Sequence, residues 1–376
     1  MNKNEIVEIA LQFAIQGEIA EVRPFGSGHI HETFRVGNTN AEFPDYVLQK
    51  INSGIFTNID HLMDNIRQVI NHLHTKKGQA LHSNPDEKIL ELIPTLQGKS
   101  YYKHPDGSYW RLYVFLKNTK SYDLVEREEQ ALEGGRAFGK FISLLSDLNP
   151  QTIHEILPNF HNIEFRLGQL RDAKKHDPKN RLQEVEEEVA FVQERAERMS
   201  LIKKMGDEGK LPLRITHNDT KFNNVLLNEN DQAVCVIDLD TVMPGYVAYD
   251  FGDAVRTIIN TAEEDEKDLE KIQLNLNLFK AYAEGFISET SDILNEHELD
   301  SLSQSCLLLP FIMGVRFLTD YIDGDHYYRI HFPDHNIQRA RAQFQLVRKI
   351  EQQFEVIQAT IKQLSSTQKT RNPHEA

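Results

Sequence analysis

Several polar side chains of this 376-residue chain are spaced as phosphoryl transfer would require. His217, Asp219 and Asn224 form the pattern H-x-D-x-x-x-x-N, and Asp238 follows at the end of an apolar, strand-like run. In phosphoryl transfer, one carboxylate orients the acceptor hydroxyl, while an amide and a second carboxylate hold metal ions on the phosphates. The spacing therefore predicts a kinase-type site, with Asp219 as the catalytic base and His217 as structural support for its loop.

The residues between Asn224 and Asp238 predict how these two side chains meet. Residues 225–227 and 233–237 are strand-like, and the polar residues 228–231 form a turn between them. Such a hairpin returns Asp238 to the neighbourhood of Asn224. Their oxygen atoms are ligands that Mg²⁺ prefers when water and phosphate complete its shell. We therefore expect Mg²⁺ as the cofactor.

Two alternatives stay open at this segment. Asp240 either binds a second Mg²⁺ ion or forms hydrogen bonds with the loop, and we count it among the candidate metal ligands. The other alternative is a simple polar turn, in which His217 and Asn224 only cap loop backbone groups. The strand-turn-strand pattern and the paired aspartates favour the kinase interpretation over that turn.

A glycine-containing turn near the N-terminus is a candidate nucleotide site. Gly26, Ser27 and Gly28 lie between two strand-like segments, where glycines let the backbone approach a phosphate and present N–H groups to it. A plain hairpin turn explains the same string. Lys50 lies within the strand-like YVLQKIN segment and could reach the α- and β-phosphates, unless it is an edge-strand lysine facing solvent.

A helical acid should hold such a lysine in place. Asp64, in the segment HLMDNIRQVINHL, is the candidate partner of Lys50, and we include it in the nucleotide site. It is shorter than the glutamate that usually fills this position. Asn65 or an exposed carboxylate is an equal alternative.

The order of the predicted elements indicates an α+β fold. Strands are predicted at 21–26, 30–37, 45–51, 89–92 and 109–116, a first helix at 58–76, and long helices at 125–147, 183–205, 265–287, 296–322 and 336–365. Strands that precede helices in this way are typical of an α+β arrangement in two lobes. We predict a nucleotide-binding lobe at 1–116 and a catalytic, acceptor-binding lobe at 117–376.

Composition excludes several classes of function. The net charge of −15 disfavours binding to nucleic acid or to an anionic membrane. Cys235 and Cys306 lie in apolar runs and provide no disulfide framework, which indicates a reducing compartment. We find no signal peptide pattern and no apolar run long enough for a bilayer, so we expect a cytoplasmic protein.

Motifs along most of the chain resemble one superfamily. They include FGSGHIHETF, YVLQKIN, YWRLYVF, LPNFHN, THNDTKFNNVL, IDLDTVMPG, YDFGDAVR and RFLTDYIDGD. With these motifs the chain resembles the aminoglycoside phosphotransferase and choline kinase-like superfamily, and most closely its N-acetylhexosamine 1-kinases. The resemblance implies a bilobal protein-kinase-like fold and phosphorylation of the anomeric hydroxyl of an amino sugar by ATP, a step in carbohydrate metabolism.

The same resemblance implies residue roles outside the central motif. His31, Arg316 and Tyr327 match positions of the acceptor site, and Asp250 matches a residue that supports the catalytic loop. Asp250 also lies where an N-cap of the next helix is expected. For Arg316 the alternative is a salt bridge to Asp320, four residues later in the same helix.

The expected partners are ATP and a small-molecule acceptor, with no nucleic acid and no membrane, in a monomer or weak dimer. A kinase of another small hydroxyl acceptor, such as an aminoglycoside, an amino alcohol or a methylthiosugar, is the main alternative. A catalytically dead nucleotide-binding scaffold is less favoured, because all the proposed reaction residues are present. The sequence does not separate the gluco from the galacto configuration of the acceptor.

Overall fold

The computed structural model describes residues 2–26, 30–79 and 86–371. The chain forms two compact units. The first is built from Met1–Ser121, Asp147–Leu157 and Val225–Pro244, and the second from Tyr122–Ser146, Pro158–Asn224 and Gly245–Ala376. A sheet-rich first unit and a helical second unit make the α+β class that the sequence predicts. The functional division at residue 116 stays a prediction, and the first unit takes in two later segments.

Six of the ten described strands lie in the first third of the chain, and most of the described helices follow them. The strands are β1 (Ile19–Pro24), β2 (Glu32–Asn38), β3 (Tyr46–Ile51), β4 (Leu92–Ile93), β5 (Tyr102–Lys103), β6 (Tyr109–Val114), β7 (Arg214–Thr216), β8 (Val225–Leu227), β9 (Ala233–Val236) and β10 (Met243–Gly245). The helices are α1 (Lys3–Ala10), α2 (Ile59–Gln79), α3 (Glu128–Leu144), α4 (Ile163–His176), α5 (Glu186–Met199), α6 (Leu201–Asp207), α7 (Val247–Ile258), α8 (Leu276–Thr290), α9 (Glu296–Asp323), α10 (His335–Gln352) and α11 (Phe354–Arg371).

An antiparallel sheet organises the first unit. Its strands follow the order β1-β2-β3-β6-β4, and β5 also pairs with β6. The strand β3 is therefore an inner strand, between β2 and β6. Helix α1 packs on this sheet, and Trp110 lies fully buried in their shared core.

The predicted hairpin is present in the first unit. Strands β8 and β9 pair antiparallel, with Val225 opposite Val236. The Asn228 side chain closes the turn by accepting hydrogen bonds from the N–H groups of Asn230 and Gln232 at 2.9 and 3.0 Å. Asp238 follows two residues after Val236, in the left-handed region with φ 61°.

Helix α9 is the central helix of the second unit. It begins at an Asn295–Glu298 capping box, ends before the left-handed Gly324, and is buried along most of its length. Contrary to the sequence prediction, it is long and apolar enough to cross a bilayer, although most of its apolar stretch is buried inside the protein. A core helix meets the same criteria, so length and composition alone do not make α9 a membrane span.

Glycines allow α3 and α8 to pack backbone against backbone. A Cβ atom on Gly135 would lie 2.1 Å from the carbonyl oxygen of Tyr282, and one on Gly285 would lie 2.1 Å from that of Leu132. Backbone atoms cannot yield to such a contact without a shift of a whole helix. This reciprocal approach fixes the spacing of the two helices.

We predict that Gly285→Ala destabilises the protein, by about 1–3 kcal/mol for an overpacked site. Urea denaturation measures the change in the free energy of unfolding. Gly168→Ala in α4 is the matched control, since its Cβ would meet nothing closer than 3.6 Å. The control should be neutral or more stable, because alanine restricts the unfolded chain. Equal stability of Gly285→Ala and wild type would contradict the packing account.

Candidate active site

Asp250 fixes the start of the loop that follows β7. Its buried carboxylate accepts hydrogen bonds from the backbone N–H groups of His217 and Asn218, each at 2.7 Å. The Thr220 hydroxyl donates to the carbonyl oxygen of Asp250 at 2.6 Å. The N-cap of α7 is Tyr246, so the expectation that Asp250 caps this helix is wrong. Asp250 lies within the first turn, and its side chain binds the loop, which is the position that structural support requires.

Aromatic side chains pack beside the hydrogen bonds from the His217 and Asn218 N–H groups to Asp250. The ring of His217 is buried, with the rings of Phe138 and Phe141 each at 5.7 Å between centroids. Burial raises the pKa of Asp250 to about 6, against the opposing effects of His217 and of the two N–H donors. Asn218 adopts the left-handed conformation with φ 64°, which costs energy for a residue other than glycine. Packing and the Asp250 bonds together hold the loop in this shape.

Asp219 is a partly buried carboxylate of the loop, with 21% of its side-chain surface exposed. Asn224 Nδ2 donates to its carbonyl oxygen at 2.8 Å and to its Oδ2 at 3.3 Å, and Lys221 Nζ lies 3.2 Å from Oδ1. Burial raises the pKa of Asp219, but the charges of Lys221 and His217 outweigh it and bring the pKa below its ordinary value. Asp219 is therefore ionised at neutral pH and able to accept a hydrogen bond from an acceptor hydroxyl.

The side chains of Asn224 and Asp238 fit a divalent metal by their donor type. The amide nitrogen of buried Asn224 is used by Asp219, which leaves its amide oxygen as the ligand atom. Asp238 presents an exposed carboxylate. Within the described residues no group of three His, Cys, Asp or Glu side chains forms a ready metal cage. Mg²⁺ is commonly bound by one or two protein side chains together with phosphate and water, so the roles of Asn224 and Asp238 as its ligands stay predictions.

Asp240 has different surroundings from those expected of a metal ligand. Its carboxylate forms a buried ion pair with both terminal nitrogens of Arg111, and His31 Nε2 lies 2.5 Å from its Oδ2. Burial raises the pKa of Asp240, and the Arg111 charge reverses this and holds the pKa far below its usual range. His31, predicted to bind the acceptor, is thus engaged with Asp240.

The predicted pair of Lys50 and Asp64 is not formed, which corrects the sequence interpretation. Lys50 Nζ contacts Glu32 Oε1 at 2.8 Å, from the residue directly opposite it on β2. The Asp64 carboxylate instead accepts hydrogen bonds from Arg67 at 2.5 Å and Gln68 at 2.8 Å, both on its own helix. Because Arg67 and Gln68 lie one helical turn from Asp64, they satisfy its carboxylate, and Asp64 does not contact Lys50. The nucleotide roles of Lys50 and Asp64 stay predictions.

The glycine turn is only partly within the described residues. Gly26 has φ 80°, and a Cβ atom there would meet nothing within 4 Å, so the backbone conformation rather than crowding favours glycine. Ser27 and Gly28 lie outside the described residues. Their predicted contacts with phosphate therefore stay predictions.

An arginine–aromatic cluster lies in the second unit and consists of Phe160, Arg166, Arg316, Tyr327 and Tyr328. The guanidinium carbon of Arg316 lies 5.5, 5.7 and 5.5 Å from the ring centroids of Phe160, Tyr327 and Tyr328. Arg316 Nη2 donates to the Tyr327 hydroxyl at 3.4 Å. Burial and the charge of Arg316 lower the pKa of Arg166 to about 10. Neither arginine forms an ion pair with a carboxylate in the described part of the chain.

The alternative salt bridge between Arg316 and Asp320 is not formed. Asp320 accepts backbone hydrogen bonds from His326, Tyr327 and Tyr328 at 2.9, 2.8 and 2.9 Å. These bonds hold the turn after α9 and place both tyrosines beside Arg316. The structure thus brings together Arg316 and Tyr327, two of the three predicted acceptor residues.

His161 links the cluster to the catalytic loop. Its Nε2 lies 3.1 Å from the carbonyl oxygen of Asn218, the residue before Asp219. Burial lowers the pKa of His161 to about 4, so the ring is neutral, and Nε2 carries the proton that Asn218 accepts. His161 Nδ1, Arg166 Nε and the Tyr328 hydroxyl are buried without a hydrogen-bond partner among the described residues. Unsatisfied buried polar atoms of this kind indicate a place where a polar ligand or water belongs.

The model of the phosphotransferase enzyme family called APH matches residues 21–284, more than half of the chain. The chain belongs to this family. Solved structures share its kinase-like fold. A choline kinase from Cryptosporidium parvum is 15% identical, and the match covers 98% of this chain and 99% of that one with a TM-score of 0.61. An aminoglycoside phosphotransferase from Alicyclobacillus acidocaldarius is 13% identical, and the match covers 96% of each chain with a TM-score of 0.58. An amicoumacin kinase, solved in complex with AMP-PNP and Ca²⁺, is similar at 11% identity, 93% and 94% coverage and a TM-score of 0.60.

Sequence reasoning missed several residues of this candidate site. Asp253 accepts a hydrogen bond from the Thr220 N–H at 3.1 Å and pairs with buried Arg256 at 3.0 Å, one helical turn later. The D-x-x-R spacing after Asp250 was a signal that could have found this pair. His161 and Arg166 gave no such signal, because their roles depend on contacts between segments far apart in the chain.

We predict that Asp219→Asn and Asp250→Asn have different effects. Asp219→Asn should lower kcat for phosphoryl transfer by about 10²–10⁴-fold while the melting temperature stays close to that of wild type. Asp250→Asn should lower kcat and also destabilise the protein by about 1–3 kcal/mol, because an amide cannot accept both loop N–H groups. Steady-state kinetics and thermal melting measure both effects. An Asp250→Asn protein with wild-type stability would contradict the support role.

Proposed function

We propose that this phosphotransferase moves the γ-phosphate of ATP to the anomeric hydroxyl of an N-acetylhexosamine, giving the sugar 1-phosphate. The observation that carries the choice of acceptor is the arginine–aromatic cluster, joined to the catalytic loop through His161. The motifs FGSGHIHETF, LPNFHN and RFLTDYIDGD, which resemble those of N-acetylhexosamine 1-kinases, support the same acceptor. The cytoplasm is the location that we propose for this reaction.

The charge of the cluster favours an uncharged acceptor over a cationic one. Arg166 and Arg316 carry two positive charges, and the nearby His161 is neutral. An ammonium group placed there would face two guanidinium groups, and like charges at close range repel each other. Amino alcohols and aminoglycosides carry such groups, whereas the acetamido group of an N-acetylhexosamine does not.

The hydrogen-bonding groups of the cluster also match an acetamido sugar. Arginine is a donor only, and it suits the acetamido carbonyl and the ring hydroxyls. The tautomer of His161 makes its unpaired Nδ1 an acceptor, which suits an N–H or hydroxyl donor. Tyr327 is largely exposed and offers an aromatic face for the sugar ring. A donor, an acceptor and a flat apolar surface are the elements of sugar recognition.

The catalytic roles follow from the loop geometry and the predicted metal ligands. In our proposal Asp219 orients the anomeric hydroxyl for attack and receives its proton, while Asn224 and Asp238 hold Mg²⁺. When bound, Mg²⁺ neutralises charge on the β- and γ-phosphates. Lys50 and the backbone of the turn at residues 26–28 bind the phosphates.

A panel of acceptors tests the proposal. ADP release should be measured with N-acetylglucosamine, N-acetylgalactosamine, glucose, galactose, choline, 1-amino-2-propanol and kanamycin. We expect the highest kcat/KM for an N-acetylhexosamine and values lower by about 10²-fold or more for plain hexoses, because the groups that bind the acetamido substituent would be left unpaired. Turnover confined to the cationic acceptors would contradict the proposal.

We predict that Arg316→Gln raises KM for the N-acetylhexosamine more than it lowers kcat. A lost charge-assisted hydrogen bond of roughly 1.5–3 kcal/mol corresponds to about a 10- to 150-fold loss in binding. Arg339→Gln is the matched control, since Arg339 also lies over an aromatic ring, 5.4 Å from Phe317, but outside the cluster. An unchanged KM in Arg316→Gln, or an equal rise in the control, would remove the cluster from the acceptor site.

A further inference from the structure

The carboxylate of Asp240 is enclosed by donors from the sheet of the first unit. Arg111 Nη1 donates to its Oδ1, Arg111 Nη2 donates to its Oδ2 at 2.7 Å, and His31 Nε2 approaches the same Oδ2. Only 3% of the surface of Asp240 is exposed, and only 1% of that of Arg111. A fork of two parallel N–H···O bonds fixes both the position and the plane of a carboxylate.

Neighbouring strands hold these donors in place. Arg111 Nε donates to Gln49 Oε1 at 3.0 Å, from the residue directly opposite it on β3. His31 Nδ1 accepts a hydrogen bond from the Asn52 N–H at 3.1 Å, which places the proton of the ring on Nε2. His31 is therefore a donor to Asp240, and the geometry of the contact is set before any ligand arrives.

The same arrangement is unfavourable for a metal ion on Asp240. A divalent cation bound to either oxygen would lie within a few ångströms of the guanidinium group of Arg111. Like charges at that distance in a buried site repel strongly. A metal ion that displaced Arg111 from Asp240 would leave the buried guanidinium group without its carboxylate partner, which costs several kcal/mol.

Asn65 provides a second attachment for the stretch we call the metal segment, residues 238–242. Its Nδ2 donates to the carbonyl oxygen of Val242 at 3.1 Å and to that of His154 at 2.8 Å, and its Oδ1 accepts from the His154 N–H at 2.8 Å. Asn65 is fully buried on α2. The metal segment is thus tied to the sheet through Asp240 and to α2 through Val242, while Asp238 stays exposed at its start.

We propose that Asp240 is a positioning residue, held by Arg111 and His31 so that Asp238 is the one carboxylate of the metal segment that ligates Mg²⁺. This inference rests on the proposed function for the presence of a metal–nucleotide complex. It replaces the predicted roles of Asp240 as a metal ligand and of His31 as an acceptor residue. Arg111, which the sequence analysis assigned to no role, becomes a positioning residue for the reaction.

Removing both partners of the ion pair tests this directly. The probe is Mn²⁺ binding in the presence of ADP, followed by the electron paramagnetic resonance signal of free Mn²⁺, with thermal melting measured in parallel. The variants are Asp240→Leu, the double variant Arg111→Met/Asp240→Leu, and Asp238→Asn. Replacing a buried ion pair by apolar side chains is often neutral for stability, whereas breaking it is not.

We expect Asp240→Leu to melt at a lower temperature and to bind Mn²⁺ about 10- to 100-fold more weakly, as is usual when a supporting partner is lost. The double variant should regain the melting temperature and bind Mn²⁺ within about 10-fold of wild type, while Asp238→Asn should lose Mn²⁺ binding and keep its stability. A double variant that is folded but binds Mn²⁺ as poorly as Asp238→Asn would overturn the proposal. The comparison of the double variant with Asp238→Asn tests the role of Asp240 even if the single variant Asp240→Leu fails to fold.

The test is separable from the proposed function. A wild-type protein that binds Mn²⁺ and ADP but does not phosphorylate an N-acetylhexosamine would contradict the proposed acceptor alone, and the comparison of variants would still decide the role of Asp240. A wild-type protein that binds no Mn²⁺ with ADP would overturn both.

Discussion

The bonds from the His217 and Asn218 N–H groups to the Asp250 carboxylate are the constraint on which the candidate active site depends. Both measure 2.7 Å and lie in a dry environment, where an unpaired partner would be costly. They hold Asn218 in a left-handed conformation, which asparagine tolerates better than most residues other than glycine. The direction of the next residue, Asp219, follows from that conformation, and the contacts of its carboxylate with Asn224 and Lys221 complete the placement of the proposed catalytic base.

The arginine–aromatic cluster, which we propose as the acceptor site, is connected to the same residue, Asn218. Asn218 donates its N–H to Asp250 and accepts a hydrogen bond at its carbonyl oxygen from His161, which adjoins the arginine–aromatic cluster. The backbone of Asn218 thus contacts Asp250 through its N–H and His161 through its carbonyl oxygen. In the described residues neither guanidinium group of the cluster forms an ion pair with a carboxylate, and we propose that the cluster therefore disfavours a cationic acceptor. In our proposal this separates an N-acetylhexosamine from the cationic acceptors named for several proteins of similar fold.

The sequence predicted those elements whose formation depends mainly on residues close together in the chain. The strands β2, β3 and β6 and the helix α9 lie close to their predicted ranges, because the patterns that indicate a strand or a helix are contained within each segment. The hairpin before Asp238 was predicted because its turn residues are distinctive. The predicted helix at 183–205 instead breaks at Ser200, and the one at 336–365 breaks at Gln353, where no proline or glycine marks the end. The predicted helix at 265–287 begins only at Leu276, after the Asn275 cap.

The errors in the site have a common physical reason. Lys50 was paired with Asp64 on family expectation, but each found a nearer partner, Glu32 or Arg67. The contact of Asp240 with Arg111 joins residues 129 positions apart, and that of His161 with Asn218 joins residues 57 apart. A single sequence carries no signal for such pairs. Motif spacing predicted a chemistry for the loop, whereas the partner of each charged side chain could be read only from the folded structure.

Phosphorus NMR of the reaction product tests the central claim most directly. The protein should be incubated with ATP, Mg²⁺ and, in separate samples, N-acetylglucosamine or N-acetylgalactosamine. The account predicts a phosphate whose signal couples to the anomeric proton, in a product that is non-reducing and acid-labile. A phosphate on C6 or another ring hydroxyl, in a sugar that keeps its reducing end, would contradict it.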